Sequence, residues 1–339
     1  MKQKKSVVFL VILISTVLII SSSTFAWSTH GKMTYFVASD VAWLEKYNNI
    51  TITEYHYSDI DTEPYNPDFK ILYKEGYIGE QTSALEILSI YADEPDWDMD
   101  ENLKLSSFQK IIGGSSGWRH QYYITFFGII RIGNAPKRSQ YFYNLALKAF
   151  DKDDYYWGFR FFARALHYAE DVSQPLHAFP LPISVILKNI FSINGLVKIG
   201  ENHHYTFEDY QGTQIEINRE DYIDVLKTTE TMDVNSINRL AVLNAFKSKK
   251  DCNKIFDIQQ KFYGEGINNK EGFSINKDDY KVLKDNEYQE EYDNIIKSHL
   301  INFAITVNTA LELLHNDLLK MGVFKLKRDK GVRHQSLII

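Results

Sequence analysis

Two stretches of this chain repeat apolar residues at helical spacing, and almost nowhere does it sustain the period-two alternation of a strand. Ile296, Leu300, Phe303, Val307, Leu311, Leu314 and Leu318 keep steps of three and four for about six turns. Between Tyr155 and Val172, Trp157, Phe161, Ala165 and Tyr168 do the same, and the segment from Ser139 to Phe150 is also helix-like. Apolar faces of this kind need other helices to cover them when strands are scarce. The expected fold is therefore all-α, a single multi-helix domain in which the Tyr155–Val172 helix is buried. The chain shows no internal repeat, and its seven prolines mark no linker. The domain is expected to span 27–322. Within it, 211–290 is rich in Lys, Asp, Asn and Glu and reads as a peripheral insertion or helical excursion, and 323–339 reads as a loose tail.

Composition narrows the chemistry. Of 339 residues 44% are hydrophobic, enough for a core and incompatible with global disorder. Lys plus Arg number 38 against 44 Asp plus Glu, a net charge of −6 that disfavours binding driven by a basic surface. Cys252 is the one cysteine, which excludes an internal disulfide framework and a Cys-rich zinc finger. Any metal chemistry must use histidines and carboxylates.

The first 26 residues read as a secretory signal. Lys2, Lys4 and Lys5 precede an apolar run from Val7 to Ile14, continued by Val17 to Ile20. Small residues then lead to Thr24-Phe25-Ala26, a small-x-small site that places cleavage before Trp27. The alternative is an uncleaved anchor, for which the run is short. Removal of 1–26 takes away three lysines and no acid, leaving a more acidic, exported chain.

The most informative stretch is His167-Tyr-Ala-Glu-Asp171-Val-Ser-Gln-Pro-Leu-His177. His167 and Asp171 are four apart, so on a helix an imidazole and a carboxylate share one face, as a borderline cation such as zinc requires. Pro175 bends or restarts the chain and can turn His177 toward a neighbouring point. His204 and Glu208 repeat the spacing of four. Each pair alone is equally a helix-face contact worth a few tenths of a kcal/mol. It is the combination that points to a metal. His203, His56, His299, His315 and His334 fall outside the pattern, and Asp93, Asp98 and Asp100 compete with Asp96 for its role or are solvated loop acids, with Asp96 preferred for its Pro-Asp-aromatic context.

The string from Leu166 to Ala178 resembles the signature of the zinc-dependent phospholipase C family, which is related to the zinc-dependent single-strand nucleases. Mature members begin with a Trp that binds metal through its free amine and carbonyl, and Trp27 stands at the expected cut. Thr29-His30, Pro95-Asp96-Trp97-Asp98 and His120-Gln-Tyr-Tyr123 are similar to the family's remaining motifs, in the family's order. The resemblance implies three zinc ions: one held by Asp96, His120, His167 and Asp171, a second by Trp27, His30 and the shared Asp171, a third by His177, His204 and Glu208. A carboxylate shared by two cations would generate a hydroxide at neutral pH that attacks phosphorus in line. Asp96 either serves as a ligand alone or also acts in catalysis by accepting a proton.

Phospholipids and nucleic acids are both phosphodiesters. The family's secreted eukaryotic nucleases carry disulfides, impossible with one cysteine, so the resemblance implies a phospholipase C that releases diacylglycerol and a phosphorylated head group. A single-strand nuclease or nucleotidase, or a silent zinc- or lipid-binding protein, is the alternative. Between His177 and His204, Ile183, Ile186, Leu187, Ile190 and Phe191 form a helical apolar face, read either as an interfacial lid toward lipid or as a plain core helix. Trp97 and Trp118 are candidates for an aromatic cage around a cationic head group. Only Ser28 and Thr29 separate Trp27 from His30, however, so the acid of choline-binding members is absent, and Gly117 stands where an aromatic is expected. The partner expected is phospholipid at a membrane interface, and the protein is expected to be a monomer.

Overall fold

The computed structural model describes residues 29–104, 114–125, 128–179, 181–189, 191–275 and 286–322. Trp27, the apolar leader, the C-terminal tail and Ile190 lie outside the described residues. Among the described residues there are twelve α-helices: α1 (His30–Ala38), α2 (Ala84–Tyr91), α3 (Gly114–His120), α4 (Ala135–Asp151), α5 (Tyr155–Asp171), α6 (Pro175–Ala178), α7 (Ile183–Asn189), α8 (Ile193–Glu216), α9 (Glu220–Leu226), α10 (Ile237–Ser248), α11 (Cys252–Tyr263) and α12 (Gln289–Met321). Among the described residues strands are confined to two antiparallel ribbons. β1 (Ile50–Thr51) pairs with β2 (Gln81–Thr82), and β3 (Tyr122–Thr125) with β4 (Ile130–Gly133) in the register Tyr122 to Gly133 and Thr125 to Ile130. The mostly helical, single-domain reading of the periodicity stands.

Helix α5 is the axis. Its N-cap is Asp154, whose side chain accepts from the Trp157 amide at 3.2 Å. Every residue from Tyr156 to Asp171 is buried, because α2, α4, α10 and α12 all pack against it. Helix α4 reaches α5 through a short turn in which Asp153 has φ +59°, and Gly158 lets the two helices close. A Cβ at Gly158 would sit 2.7 Å from Cε1 of Phe150. Helix α12 runs for 33 residues and ends at Gly322, whose left-handed φ of +77° caps it. No helix among the described residues is long and apolar enough to cross a membrane.

The stretch 211–290, expected to be a peripheral insertion or a helical excursion, supplies α9, α10 and α11, whose apolar residues are buried. Tyr222, Leu226, Leu240, Ala241, Ile255, Phe256 and Phe262 join the same buried cluster as α5 and α12. Each of these helices is short and has a polar outer face, which dilutes its apolar period below what a long window detects. The apolar segment after His177 is likewise divided. Ile186 of α7 is buried, whereas Ile183, Leu187 and Phe191 face outward.

Candidate metal centre

Residues brought to the centre by α5 form one stripe. Arg160, Arg164, His167 and Asp171 step by four, three and four along the helix and are all fully buried. At one end of the stripe Glu94 receives both guanidinia. Arg160 Nε donates to Oε2 at 3.1 Å, Arg164 Nε donates to the same oxygen at 2.6 Å, and Arg160 Nη2 bonds Oε1. Despite complete burial the two arginines hold Glu94 down at about 2. Glu94 opens the 3-10 turn Glu94–Asp96, so this ion triad places Asp96 against α5.

At the other end Asp171 divides its oxygens. Oδ1 lies 3.5 Å from His30 Nε2, while Oδ2 lies 3.0 Å from His120 Nδ1 and 3.4 Å from His167 Nε2. Asp96 Oδ1 completes the second group, 3.6 Å from His120 Nδ1 and 3.5 Å from His167 Nε2. A third group sits beyond, where His204 Nε2 is 2.7 Å from Glu208 Oε1 and 3.0 Å from His177 Nε2. Three sets of convergent donors result: His30, His167 and Asp171; Asp96, His120 and His167; His177, His204 and Glu208. Within each set the ligand atoms lie within 4.8 Å of one another.

The donor atoms point inward because their other atoms are engaged. His167 Nδ1 donates to the Ala92 carbonyl at 2.7 Å, and His177 Nδ1 to the His120 carbonyl at 3.1 Å, which leaves each Nε2 lone pair facing its group. His30 Nδ1 donates to Glu170 Oε2 at 2.7 Å. His120 Nε2 lies 3.2 Å from Asp100 Oδ2, an ion-pair contact rather than a hydrogen bond. What remains is a set of buried polar atoms with no hydrogen-bond partner: His30 Nε2, Asp96 Oδ1 and both oxygens of Asp171. Orphaned buried carboxylate oxygens are costly unless a cation satisfies them, so the residues fit metal ions. Burial holds the His167 imidazole well below its ordinary range, in the neutral form a metal requires. Burial, reinforced by Asp171, pushes Asp96 up to about 7.

Eight of the nine residues picked out by sequence are thus gathered at one place; the ninth, Trp27, lies outside the described residues, three positions before His30. Two of the acids that competed with Asp96 are neither in its group nor solvated. Asp100 is buried, receives Arg119 Nη1 at 2.6 Å and Arg138 Nη2 at 3.2 Å, and is held far below the usual carboxylate range by their charge against the opposing effect of burial. Asp93 accepts from the Gly31 amide at 3.1 Å and ties α1 to the Glu94–Asp96 turn. That approach is tight: a Cβ on Gly31 would meet the Ser89 carbonyl oxygen at 1.9 Å. Sequence reading also missed Glu94, Arg160, Arg164 and Glu170. The spacing of four between Arg160 and Arg164, in step with His167 and Asp171, was the available signal. One face of the Trp97 ring is taken by the Lys74 ammonium, 3.2 Å from its centroid. His203, unlike its neighbour His204, points away, to Gln259 Oε1 at 2.9 Å and Asn268 Oδ1 at 3.2 Å.

No protein-family model matches the chain, and no curated protein matches it in sequence. Among solved structures it is similar to the alpha-toxin of Clostridium absonum, at 12% identity and a TM-score of 0.39 over 91% of this chain and 63% of that one. It is also similar to the alpha-toxin of Clostridium perfringens isolated from avian strain SWCP, at 13% identity and a TM-score of 0.37 over 86% of this chain and 66% of that one. The chain spans about two thirds of the length of these toxins. What the site can do chemically follows from its own atoms.

Proposed function

We propose that the protein is a secreted, zinc-dependent phosphodiesterase, a phospholipase C that cleaves phospholipid to diacylglycerol and a phosphorylated head group. The observation that carries this reading is the convergence of partnerless buried donors, His30 Nε2, Asp96 Oδ1 and both Asp171 oxygens, at two groups that share His167 and are both faced by Asp171. A mixed imidazole and carboxylate donor set without thiolates suits zinc. His30 and Asp171 would hold one ion together with the Trp27 amine and carbonyl, Asp96, His120, His167 and Asp171 a second, and His177, His204 and Glu208 the third. Zinc bound there supplies an ionised water near neutral pH and offsets charge on the phosphoryl oxygens.

The chain's own residues do the rest. Asp171 keeps the two groups in register through its separate oxygens. Asp96 is the most exposed of the eight, with 15% of its side chain open, so with Oδ1 turned inward the other edge of its carboxyl is placed to meet substrate and to hold a proton. A peptide nitrogen is a poor zinc ligand, so signal cleavage before Trp27 completes the site. Ile183, Leu187 and Phe191 support a lipid substrate. They are 59%, 54% and 102% exposed on the segment that joins His177 to His204, with Lys188 exposed on the same helix toward anionic head groups.

A substrate panel tests the proposal. Phosphatidylcholine or phosphatidylethanolamine should turn over faster than single-stranded DNA, and the reverse order would make the protein a nuclease. Elemental analysis should find about three zincs per chain. A protein that loads none, or that works unchanged after exhaustive chelation, is not a zinc enzyme.

A further inference from the structure

His30 is oriented by a charged group, whereas His167 and His177 are oriented by backbone carbonyls. Glu170 is fully buried. Its Oε2 accepts from His30 Nδ1 at 2.7 Å, and its Oε1 accepts from Thr34 Oγ1 at 2.9 Å. Thr34 lies one turn after His30 on α1, so the carboxylate is gripped at both oxygens by a single helix face. With Nδ1 committed, the only ring nitrogen left to face the centre is Nε2, which has no hydrogen-bond partner and lies 3.5 Å from Asp171 Oδ1. The backbone step from Glu170 to Asp171 therefore sends one carboxylate toward the far side of His30 and the other toward its near side.

We infer that Glu170 is a positioning residue that fixes the tautomer and orientation of His30 and so sets the metal affinity of the His30 and Asp171 group alone. The inference rests on the reading of the clusters as metal sites. An imidazole whose second nitrogen donates to a carboxylate is a more basic and better oriented ligand, and losing such a partner costs about 10–100-fold in metal affinity. A purely structural Glu170, acting as a strut between α1 and α5, would lower stability without singling out one metal.

The test is a zinc titration of the purified protein against a chromophoric chelator, with a Glu208→Ala variant marking which equivalent belongs to the His177, His204 and Glu208 group. Glu170→Ala should weaken one other equivalent about 10–100-fold and leave the marked one unchanged. Glu170→Gln, whose amide oxygen can still accept from Nδ1 while its NH2 donates to Thr34, should recover most of the loss, and Thr34→Val should weaken the same equivalent by less. Unchanged affinities in Glu170→Ala, an equal loss at every equivalent, or a Gln variant no better than Ala would each overturn the inference. Failure of the wild-type protein to bind zinc would instead sink the metal reading itself.

Discussion

Gln174 and Glu208 meet side chain to side chain, with the Gln174 amide Nε2 donating to Glu208 Oε1 at 3.0 Å. The other end of the same amide, Oε1, accepts from the His177 backbone N–H at 3.2 Å and from that of Leu176, capping α6. One side chain therefore aligns the carboxylate of the third group and the helix that carries its first histidine. Gln174→Ala should lower the zinc affinity of that group about 10–100-fold and leave the Asp171 groups intact, as read by the same chelator competition.

Asp171→Asn should be more severe. The change keeps the shape and removes the negative charge that faces both His30 and the His120–His167 pair. Two zinc equivalents should be lost, and phosphodiester turnover should fall by at least about a thousandfold. A salt bridge on a helix face would leave turnover nearly intact, so single-turnover rates decide between them.

Glu94 is a buried point at which mutation should be costly. Removing one member of a buried ion group leaves the others uncompensated, at a cost of about 3–5 kcal/mol. Glu94→Ala should lower the urea midpoint accordingly, with Arg160 and Arg164 left facing each other in the interior. Replacing all three by apolar residues of similar volume should restore much of the stability but not Asp96's placement, so turnover should remain low.

Acid sensitivity has an identifiable source outside the metal groups. Burial holds His299 down at about 3, with Lys247 adding to the effect, while Asp251 Oδ2 lies 3.5 Å from its Nε2. An unfolded histidine titrates at about 6.5. Below that pH the unfolded chain takes up a proton that the folded chain refuses, so stability falls as pH drops from 6.5 toward 3. His299→Gln should flatten the dependence of unfolding free energy on pH across this window by up to about 1.4 kcal/mol per pH unit, measured by urea titrations.

The outward apolar residues make a separate prediction about substrate form. Changing Ile183, Leu187 and Phe191 together to Ser should reduce hydrolysis of phospholipid vesicles by about tenfold or more while leaving a soluble phosphodiester within about twofold. Equal losses on both would reject a lipid-facing role.

The pairs His167–Asp171 and His204–Glu208 were legible because their spacing is local: helix geometry alone puts residues four apart on one face. The helical class was legible for the same reason, from the apolar period of α5 and α12. The partners of those residues were not. Asp100 looked like one loop acid among four, and nothing in its neighbours announces Arg119 and Arg138, which reach it only once α3 and α4 pack. Periodicity likewise grouped Ile186 with Ile183 and Leu187 but carried no information on which of them a neighbouring helix would cover.

By itself, then, the amino-acid order determined a helical chain with histidines and acids poised at one-turn intervals, because those relations depend on the rise and twist of a single helix. The tertiary structure decided that Glu170 belongs to His30, Glu94 to two arginines, and Asp171 to two groups at once. Such contacts join residues far apart in the chain, and their choice depends on the close approach of helices, as at Gly31 against Ser89, which no local spacing encodes.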